Sequence, residues 1–297
     1  MRKSHVHIAA LFAMLFWGGS FIWSKIVFEQ YTPLTTVFFR LVISCVFLFT
    51  LIIITKKWQT IAKQDVWLFL LSSFFNPFLY FLGENYGLQK VSASITAFII
   101  ATIPVFTPFV AYKIFGERLS KLNILGLILA FAGILLIIIK PDLSFNASTE
   151  GVALLFVAVF AAVVYTIFLK KLAMKYRPVI IIGWQNLIGA VYFLPLFLYF
   201  DLNDVLFIVP NSKTISSLFM LGIFASSLAF VLFTFVIKNI GISKGNIYTN
   251  LIPVFASIAA FFLLDERFTV LKIAGMLIIV FGVTLSELEK KNKISNV

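Results

Sequence analysis

Histidine and cysteine, which supply most metal ligands and many catalytic groups, are almost missing from this sequence of 297 residues. His5 and His7 precede the first apolar stretch, and the single cysteine, Cys45, lies inside a later one. A disulfide framework and a thiolate metal site are therefore excluded. Imidazole chemistry inside the apolar part of the chain is not expected either. The sequence thus predicts no metal and no cofactor.

Charged residues are also scarce, at 12% of the chain against 61% hydrophobic residues. Apolar runs of about 20 residues follow one another, and each is long enough to cross roughly 30 Å of hydrocarbon. This composition excludes an ordinary soluble domain. The net charge of +12 is scattered through short loops, so no nucleic-acid partner is expected. The first run lacks a small-residue cleavage site, so we interpret it as a retained helix.

The apolar runs predict an all-α membrane protein with ten transmembrane helices, a short connection after each, and no appended soluble domain. The predicted first half is 1–141, a linker covers 142–150, and the second half is 151–297. The ten predicted spans are 8–28, 34–55, 67–86, 92–113, 121–140, 151–170, 178–200, 215–237, 242–263 and 269–287.

Lysine and arginine are distributed unevenly between the two sets of loops. With a cytoplasmic N-terminus, 17 of these residues fall on the inner side and five on the outer side. Cytoplasmic loops carry the excess of positive charge in membrane proteins. Both termini are therefore predicted to be cytoplasmic.

Residues 103–136 recur without a gap at 252–285, an offset of 149 positions. Five spans in each half is an odd number, so the two halves are predicted to be inverted relative to each other. Carriers built from such repeats bind their substrates where the repeats meet. The matched pairs are Pro104 and Pro253, Phe106 and Phe255, Glu117 and Glu266, Arg118 and Arg267, Gly126 and Gly275, and Gly133 and Gly282. The first two helices of each half match more weakly, at an offset of 145.

These repeated segments resemble the EamA domain of the drug/metabolite transporter superfamily. The resemblance rests on residues 86–94, 103–107, 116–119 and 126–133, and again on the run from Ile252 to Gly282. Arg40 matches an arginine common in the second helix of that family, whereas the second half has Gln185 there. The resemblance implies ten helices, a location in the cell (inner) membrane, and movement of small metabolites such as amino acids, often outward.

Three ionisable residues are predicted to lie in the outer third of the membrane: Lys25, Arg40 and Glu84. Charges inside a membrane are costly and often mark a transport pathway. They are candidates for a coupling network. An ion pair that only fixes the helices remains the alternative.

Polar residues recur every four positions in two predicted spans. Asn76, Tyr80 and Glu84 form one such stripe, and Asn246 and Asn250 belong to the other. Amide groups facing lipid would be expensive, so both stripes should face protein or water. We expect them to bind substrate, with hydrogen bonding between helices as the alternative. Trp17 and Ser20 of the first span are candidates for another wall of the same site.

The glycine pairs Gly126/Gly133 and Gly275/Gly282 permit close approach of helices. Their equivalent placement predicts packing of the fifth span against the tenth, or a homodimer formed through these faces.

The sequence predicts a secondary transporter of small metabolites. The family that it resembles makes export the expected direction. The transporter would work by alternating access between the two inverted repeats. The partners are a small-molecule substrate and the lipid bilayer. An intramembrane enzyme or a lipid flippase acting on lipid-linked substrates is the alternative. We expect no enzyme activity, because the chain has no Walker-type phosphate loop and no clustered acidic groups for catalysis.

Overall fold

The computed structural model describes residues 3–115, 120–138 and 147–294. The described chain is helical throughout and contains no strand. Its α-helices are α1 (Lys3–Val27), α2 (Pro33–Ile54), α3 (Val66–Ser73), α4 (Tyr80–Lys90), α5 (Ala93–Ile100), α6 (Ile103–Phe115), α7 (Lys121–Ile138), α8 (Thr149–Lys175), α9 (Pro178–Phe200), α10 (Leu202–Val205), α11 (Ser212–Met220), α12 (Ala229–Asn246), α13 (Leu251–Leu263) and α14 (Val270–Ile294).

Seven helical segments in the described ranges are long and apolar enough to cross a membrane. Three shorter apolar segments, Ala93–Phe109, Tyr248–Leu263 and Val270–Ser286, complete the set. Together they follow the order of the ten predicted spans. The prediction of an all-helical, multi-pass membrane protein is confirmed, whereas the count of ten spans and the cytoplasmic termini stay predictions.

Helix starts follow local sequence signals. Pro33 and Pro178 each occupy the first turn of a helix, where a missing N–H costs little. Thr32 caps α2 by accepting a hydrogen bond from the Thr35 amide at 3.1 Å. Ser148 does the same for α8 through the Gly151 amide at 3.2 Å. These caps satisfy amides that would otherwise lack partners at the helix ends.

Two of the long helical segments are interrupted by π-helical turns at equivalent places in the two halves. Phe74–Leu79 joins α3 to α4, and Leu221–Leu228 joins α11 to α12. The backbone of Asn76 is non-helical there, with φ −147° and ψ 117°. Such turns are common at functional sites, because they change the direction in which the following side chains point.

The eighth and ninth predicted spans meet within α12. The eighth was predicted to end at residue 237 and the ninth to begin at residue 242; α12 runs through this boundary to Asn246, and α13 starts at Leu251. Gly241 interrupts α12 with φ +81°, a conformation that glycine adopts without strain. A short 3₁₀ turn, Ile247–Asn250, connects the two helices. The break at Gly241 lies at the predicted boundary between the two spans, whereas the 3₁₀ turn was not predicted.

The glycine pairs pack α7 directly against α14. A Cβ atom at Gly126 would lie 2.5 Å from the Gly282 carbonyl oxygen, and one at Gly133 would lie 2.6 Å from that of Gly275. Asn123 adds a side-chain hydrogen bond between the two helices, 2.7 Å to a backbone carbonyl of α14. The predicted packing of the fifth span on the tenth is therefore correct. The chain itself covers these glycines, and the alternative of a homodimer stays a prediction.

The halves are interleaved rather than separate bundles. Helix α2 packs on α9, its equivalent in the other half, as α7 does on α14. Helix α1 packs on α12 and α13 of the second half, and α8 packs on α4, α5 and α6 of the first. Each of these contacts of one half with the other thus has an equivalent contact in the opposite direction. The core of the protein is the contact between the halves, and the candidate site lies in it.

Candidate functional site

A cavity lies between the two halves, with walls from α1, α2, α4, α8, α12 and the turns beside them. The volume open to the centre of a water molecule is about 100 Å³. One buried water needs about 10–15 Å³ by that measure, so the space suits a small solute. Most of the wall is apolar, and a few polar groups converge on it, which is typical of small-molecule sites.

The two halves contribute equivalent positions to this wall. The residues involved are separated by the same offsets, 145 and 149, that relate the repeats in sequence. The pairs at 145 are Trp17 with Ala162, Ser20 with Tyr165, and Phe21 with Thr166, and the pairs at 149 are Ile100 with Thr249, and Ile103 with Ile252. The cavity is therefore shared between the repeats and belongs to neither half alone.

One buried pair of opposite charges lines the cavity. Arg40 is 2% exposed, and its Nη1 atom lies 4.0 Å from Oε2 of Glu84. The Arg40 Nε atom donates to Ser226 Oγ at 2.7 Å. The guanidinium carbon also lies 4.3 Å from the centre of the Phe81 ring. An aromatic face attracts a cation, so the ring contributes to holding Arg40 in place.

Glu84 is held by two further side chains. The Tyr80 hydroxyl donates to Oε1 at 2.7 Å, and Asn85 Nδ2 donates to Oε2 at 3.3 Å. Both carboxylate oxygens therefore accept hydrogen bonds within the protein. Arg40 Nη1, in contrast, has no hydrogen-bond partner in the described part of the chain. The pair is buried but loosely joined, because 4.0 Å is too long for a direct hydrogen bond.

Gln185 occupies the position of Arg40 in the second half and makes a related contact. Gln185 Nε2 donates to Ser72 Oγ at 2.9 Å, and its Oε1 accepts from the Tyr165 hydroxyl at 3.0 Å. Like Arg40, it thus hydrogen-bonds a serine of the opposite half. Glutamine carries no charge, so the two repeats make the same packing contact but only the first brings a cation to the cavity.

Six of the residues singled out from the sequence line this cavity: Trp17, Ser20, Arg40, Asn76, Tyr80 and Glu84. The stripe on the third span therefore does come together, even though the helix is interrupted at Asn76. Their roles in binding and coupling stay predictions.

Asn250 does not line the cavity, and its predicted place was wrong. Its Nδ2 atom lies 3.4 Å from Thr284 Oγ1 on α14. The stripe assumed one continuous helix through Asn246 and Asn250, but α13 begins only after Asn250. The Asn246 side chain lies outside the described residues.

The sequence analysis did not foresee the carboxylate that acts electrostatically on Lys25. This carboxylate is Glu266, which precedes α14, rather than Glu84. Glu266 in turn accepts from the Ala93 amide at 2.8 Å and from the Ser94 hydroxyl. It therefore caps α5, where the partial positive charge of a helix start favours a carboxylate. Of the three predicted charges, Arg40 and Glu84 are paired, and a role for Lys25 in the same network stays a prediction.

The sequence analysis did not identify several residues of the cavity wall. The repeat offset would have identified some of them. Carrying Trp17 and Ser20 across the offset of 145 leads directly to Ala162 and Tyr165. The offset of 149 likewise leads from Phe81 to Phe230 and from Glu84 to Phe233, but the residue type gave no signal, because phenylalanine serves equally well as a lipid-facing side chain.

Polar contacts join the halves at both ends of α2. At its start, Asp201 accepts from the Thr35 amide at 3.1 Å and from the Thr35 hydroxyl at 2.6 Å. Beyond its far end, Asp65 accepts from Lys175 Nζ at 2.8 Å and from the Tyr176 hydroxyl at 2.7 Å. Burial raises the pKa of Tyr176, so its hydroxyl stays a donor. The cavity thus lies between two sets of contacts that could open separately.

A metal site does not emerge from the described ranges, since no group of three or more His, Cys, Asp or Glu side chains comes together there.

Comparison with known proteins agrees with this geometry. Residues 5–139 and 149–288 each match the EamA-like transporter family. An uncharacterized transporter, YetK of Bacillus subtilis (strain 168), is 25% identical over 97% of this chain and 88% of its own length. An uncharacterized transporter of Archaeoglobus fulgidus is 26% identical over 96% of this chain and 98% of its own.

A protein crystal structure shares the fold at a TM-score of 0.72 and 15% sequence identity, covering 97% of this chain and 100% of that one. At this identity the likeness concerns the fold alone. The family match, in contrast, covers both repeats and nearly the whole sequence. The chain belongs to the EamA-like transporter family, within the drug/metabolite transporter superfamily.

Proposed function

We propose that this protein is a secondary transporter that exports small amphipathic metabolites, such as amino acids and related compounds, across the cell (inner) membrane. One observation carries the proposal: a solute-sized cavity lies where the repeats meet and is lined by equivalent residues of both. Binding sites of carriers with inverted repeats lie at the repeat interface. The two halves are inverted in this proposal, and both termini are cytoplasmic.

Alternating access follows from the way the halves contact each other. The contacts of Asp201 at one end and of Asp65 at the other each join residues of opposite halves. Rocking of one half against the other breaks one set while keeping the other. The cavity then opens to one side of the membrane at a time, with the substrate site unchanged between them.

Glu84 is the group to which we assign coupling. A pump needs a group whose charge changes during the cycle, and Glu84 is a buried carboxyl in the cavity wall beside Arg40. Substrate or proton can change how tightly this carboxyl engages Arg40. The outcome we propose is proton exchange at Glu84 as access alternates.

Purified protein in liposomes tests the proposed transport directly. Counterflow of labelled substrate, driven by unlabelled substrate on the other side, should saturate with concentration. A channel would conduct without saturation, and an enzyme or flippase would leave a changed or redistributed lipid-linked substrate instead. Absence of saturable counterflow across a metabolite panel would refute the proposal.

The coupling role needs a second comparison in the same liposomes. Glu84→Gln should abolish accumulation driven by a proton gradient while exchange of substrate for substrate continues. Exchange reports that the variant is folded, so the loss of accumulation cannot be attributed to misfolding. Accumulation at the wild-type rate would remove Glu84 from the coupling mechanism.

A further inference from the structure

Three side chains in the cavity wall carry polar atoms that have no hydrogen-bond partner among the described residues. These atoms are Trp17 Nε1, Arg40 Nη1 and Thr234 Oγ1. All three can donate a hydrogen bond. The unpartnered acceptors in the same part of the chain, Asn85 Oδ1 and Asn250 Oδ1, belong to side chains that do not line the cavity. Three other unpartnered donors, Ser73 Oγ, Trp184 Nε1 and Ser257 Oγ, lie outside the wall, so half of the unpartnered donors among the described residues line the cavity, whereas neither of these amide oxygens does.

Four hydroxyl groups and the carboxylate of the wall are already engaged within the protein. Ser20, Tyr80, Tyr165 and Thr166 each donate their hydroxyl hydrogen to an oxygen of the protein. Both carboxylate oxygens of Glu84 accept hydrogen bonds. Buried polar groups in native proteins are nearly always paired, and the exceptions mark a function or an absent partner. The oxygens of these hydroxyls can still accept, but their hydrogens are used within the protein, whereas the donors of Trp17, Arg40 and Thr234 have no such partner.

The donors lie against an aromatic surface. The Trp17 ring contacts Phe230 and Phe233 edge-on, with ring centres 5.0 Å apart in both cases. All three rings line the cavity, as does Phe81 beneath the Arg40 guanidinium. A matching ligand combines a hydrogen-bond acceptor of negative charge with an apolar body.

We propose that the cavity binds the carboxylate group of a small amphipathic substrate through Trp17, Arg40 and Thr234. An ammonium group on the same molecule is not required. This inference rests on the proposed transport function and narrows its substrate class. A carboxylate can accept from all three donors, and bonds from a charged donor are the strongest. Solvent does not reach these atoms in the present conformation, so the side chains adjust around the ligand as it enters.

A set of matched compounds separates the contributions of the two charged groups. The probes are 3-phenylpropanoate, L-phenylalanine, 3-phenylpropanamide and 2-phenylethylamine, with 4-methylpentanoate and 3-methylbutylamine as an aliphatic pair. Isothermal titration on the purified protein should show saturable binding of the carboxylates. The amide and the amines should bind at least tenfold more weakly. Equal binding of an amine and its carboxylate, or binding of no carboxylate, would overturn the inference.

Thr234→Val and Thr166→Val form a matched pair of variants within the wall. The same atom is removed at both positions, but only the Thr166 hydroxyl has a partner, the Ala162 carbonyl oxygen at 2.9 Å. Thr234→Val should weaken carboxylate binding about tenfold, whereas Thr166→Val should change it less than twofold. Trp17→Phe, which keeps an aromatic ring and removes the donor, should resemble Thr234→Val. Equal effects of the two valine substitutions would contradict the assigned donor.

Melting temperature provides an independent readout for these variants. Removing a buried donor that has no partner relieves an unfavourable burial, so Thr234→Val should melt no lower than the wild type. Weaker binding by a more poorly folded protein would point to a structural role instead. Counterflow measurements separate the proposed transport function from the proposed carboxylate site. Carboxylate binding without counterflow would refute transport but keep the carboxylate site. Counterflow of amines alone would support transport but refute the carboxylate site.

Discussion

Breaking the Arg40–Glu84 pair from one side should destabilise the protein far more than removing both charges. The side chains are 2% and 7% exposed, so each single substitution leaves one buried charge without its partner. That situation costs about 3–5 kcal/mol. Arg40→Gln and Glu84→Gln should therefore each lower the melting temperature by about 6–10 °C, at about 2 °C per kcal/mol. The double variant should stay within about 2 kcal/mol of the wild type, because no isolated charge remains.

The two single variants should differ from each other in a defined way. A guanidinium keeps its charge at every accessible pH, whereas a carboxyl can be neutralised by a proton. The loss in Arg40→Gln should consequently shrink at acidic pH, and the loss in Glu84→Gln should persist. Melting curves from pH 5 to pH 8 in detergent, followed by tryptophan fluorescence, measure both effects.

A surface pair provides the control for this prediction. Lys90 Nζ lies 2.9 Å from Glu150 Oε2, closer than the buried pair, but the two side chains are 35% and 68% exposed. Exposed pairs contribute about 0–1 kcal/mol, so Glu150→Gln should have little effect. The reasoning would be refuted if the losses in the two buried single variants simply added up in the double variant, since burial and pairing would then not be coupled.

Three further predictions test the fold around the site. Gly133→Val places a side chain against the backbone of α14, where the first atom already falls 2.6 Å from a carbonyl oxygen, and should cost about 1–3 kcal/mol in thermal unfolding. On a Cys45→Ala background, Lys57→Cys should react with a membrane-impermeant maleimide only from the cytoplasm and Lys213→Cys only from outside; labelling of both from the same side would contradict the inverted repeats, and the reversed pattern would contradict the cytoplasmic termini. Asp201→Asn removes the charge that caps α2 and should lower stability by about 1 kcal/mol while substrate affinity stays unchanged.

The helices could be predicted from the sequence because a bilayer leaves the backbone few choices. Every peptide group in hydrocarbon needs an internal partner, so an apolar run of sufficient length forms a helix. The glycine pairs were equally informative, since glycines seven positions apart lie near one face and allow close helix contact. The 3₁₀ turn at Ile247–Asn250 could not be predicted, because the same run of residues also fits a continuous helix.

The site was only partly predictable. Asn76, Tyr80 and Glu84 were found because a polar stripe inside a membrane must face protein or water. The carboxylate that acts electrostatically on Lys25, Glu266, was not foreseen, since it lies some 240 positions away and its approach depends on how the halves dock. The aromatic wall from Phe230 to Phe233 carries no polar signal at all. The composition of a site between two halves depends on how the halves pack. From the sequence, the repeat offset is the feature that indicates which positions of the two halves meet there.

Filling the cavity from the wall tests the central claim most directly. Ala162 lines the cavity at the position equivalent to Trp17, and Ala162→Trp would place a second indole in a space of about 100 Å³. Val191→Trp, at a position 58% exposed on the outer face of α9, is the matched control. In liposomes, saturable counterflow of a carboxylate should be lost in Ala162→Trp and kept in Val191→Trp, with similar melting temperatures. Undiminished counterflow in Ala162→Trp would show that substrate does not pass through this cavity.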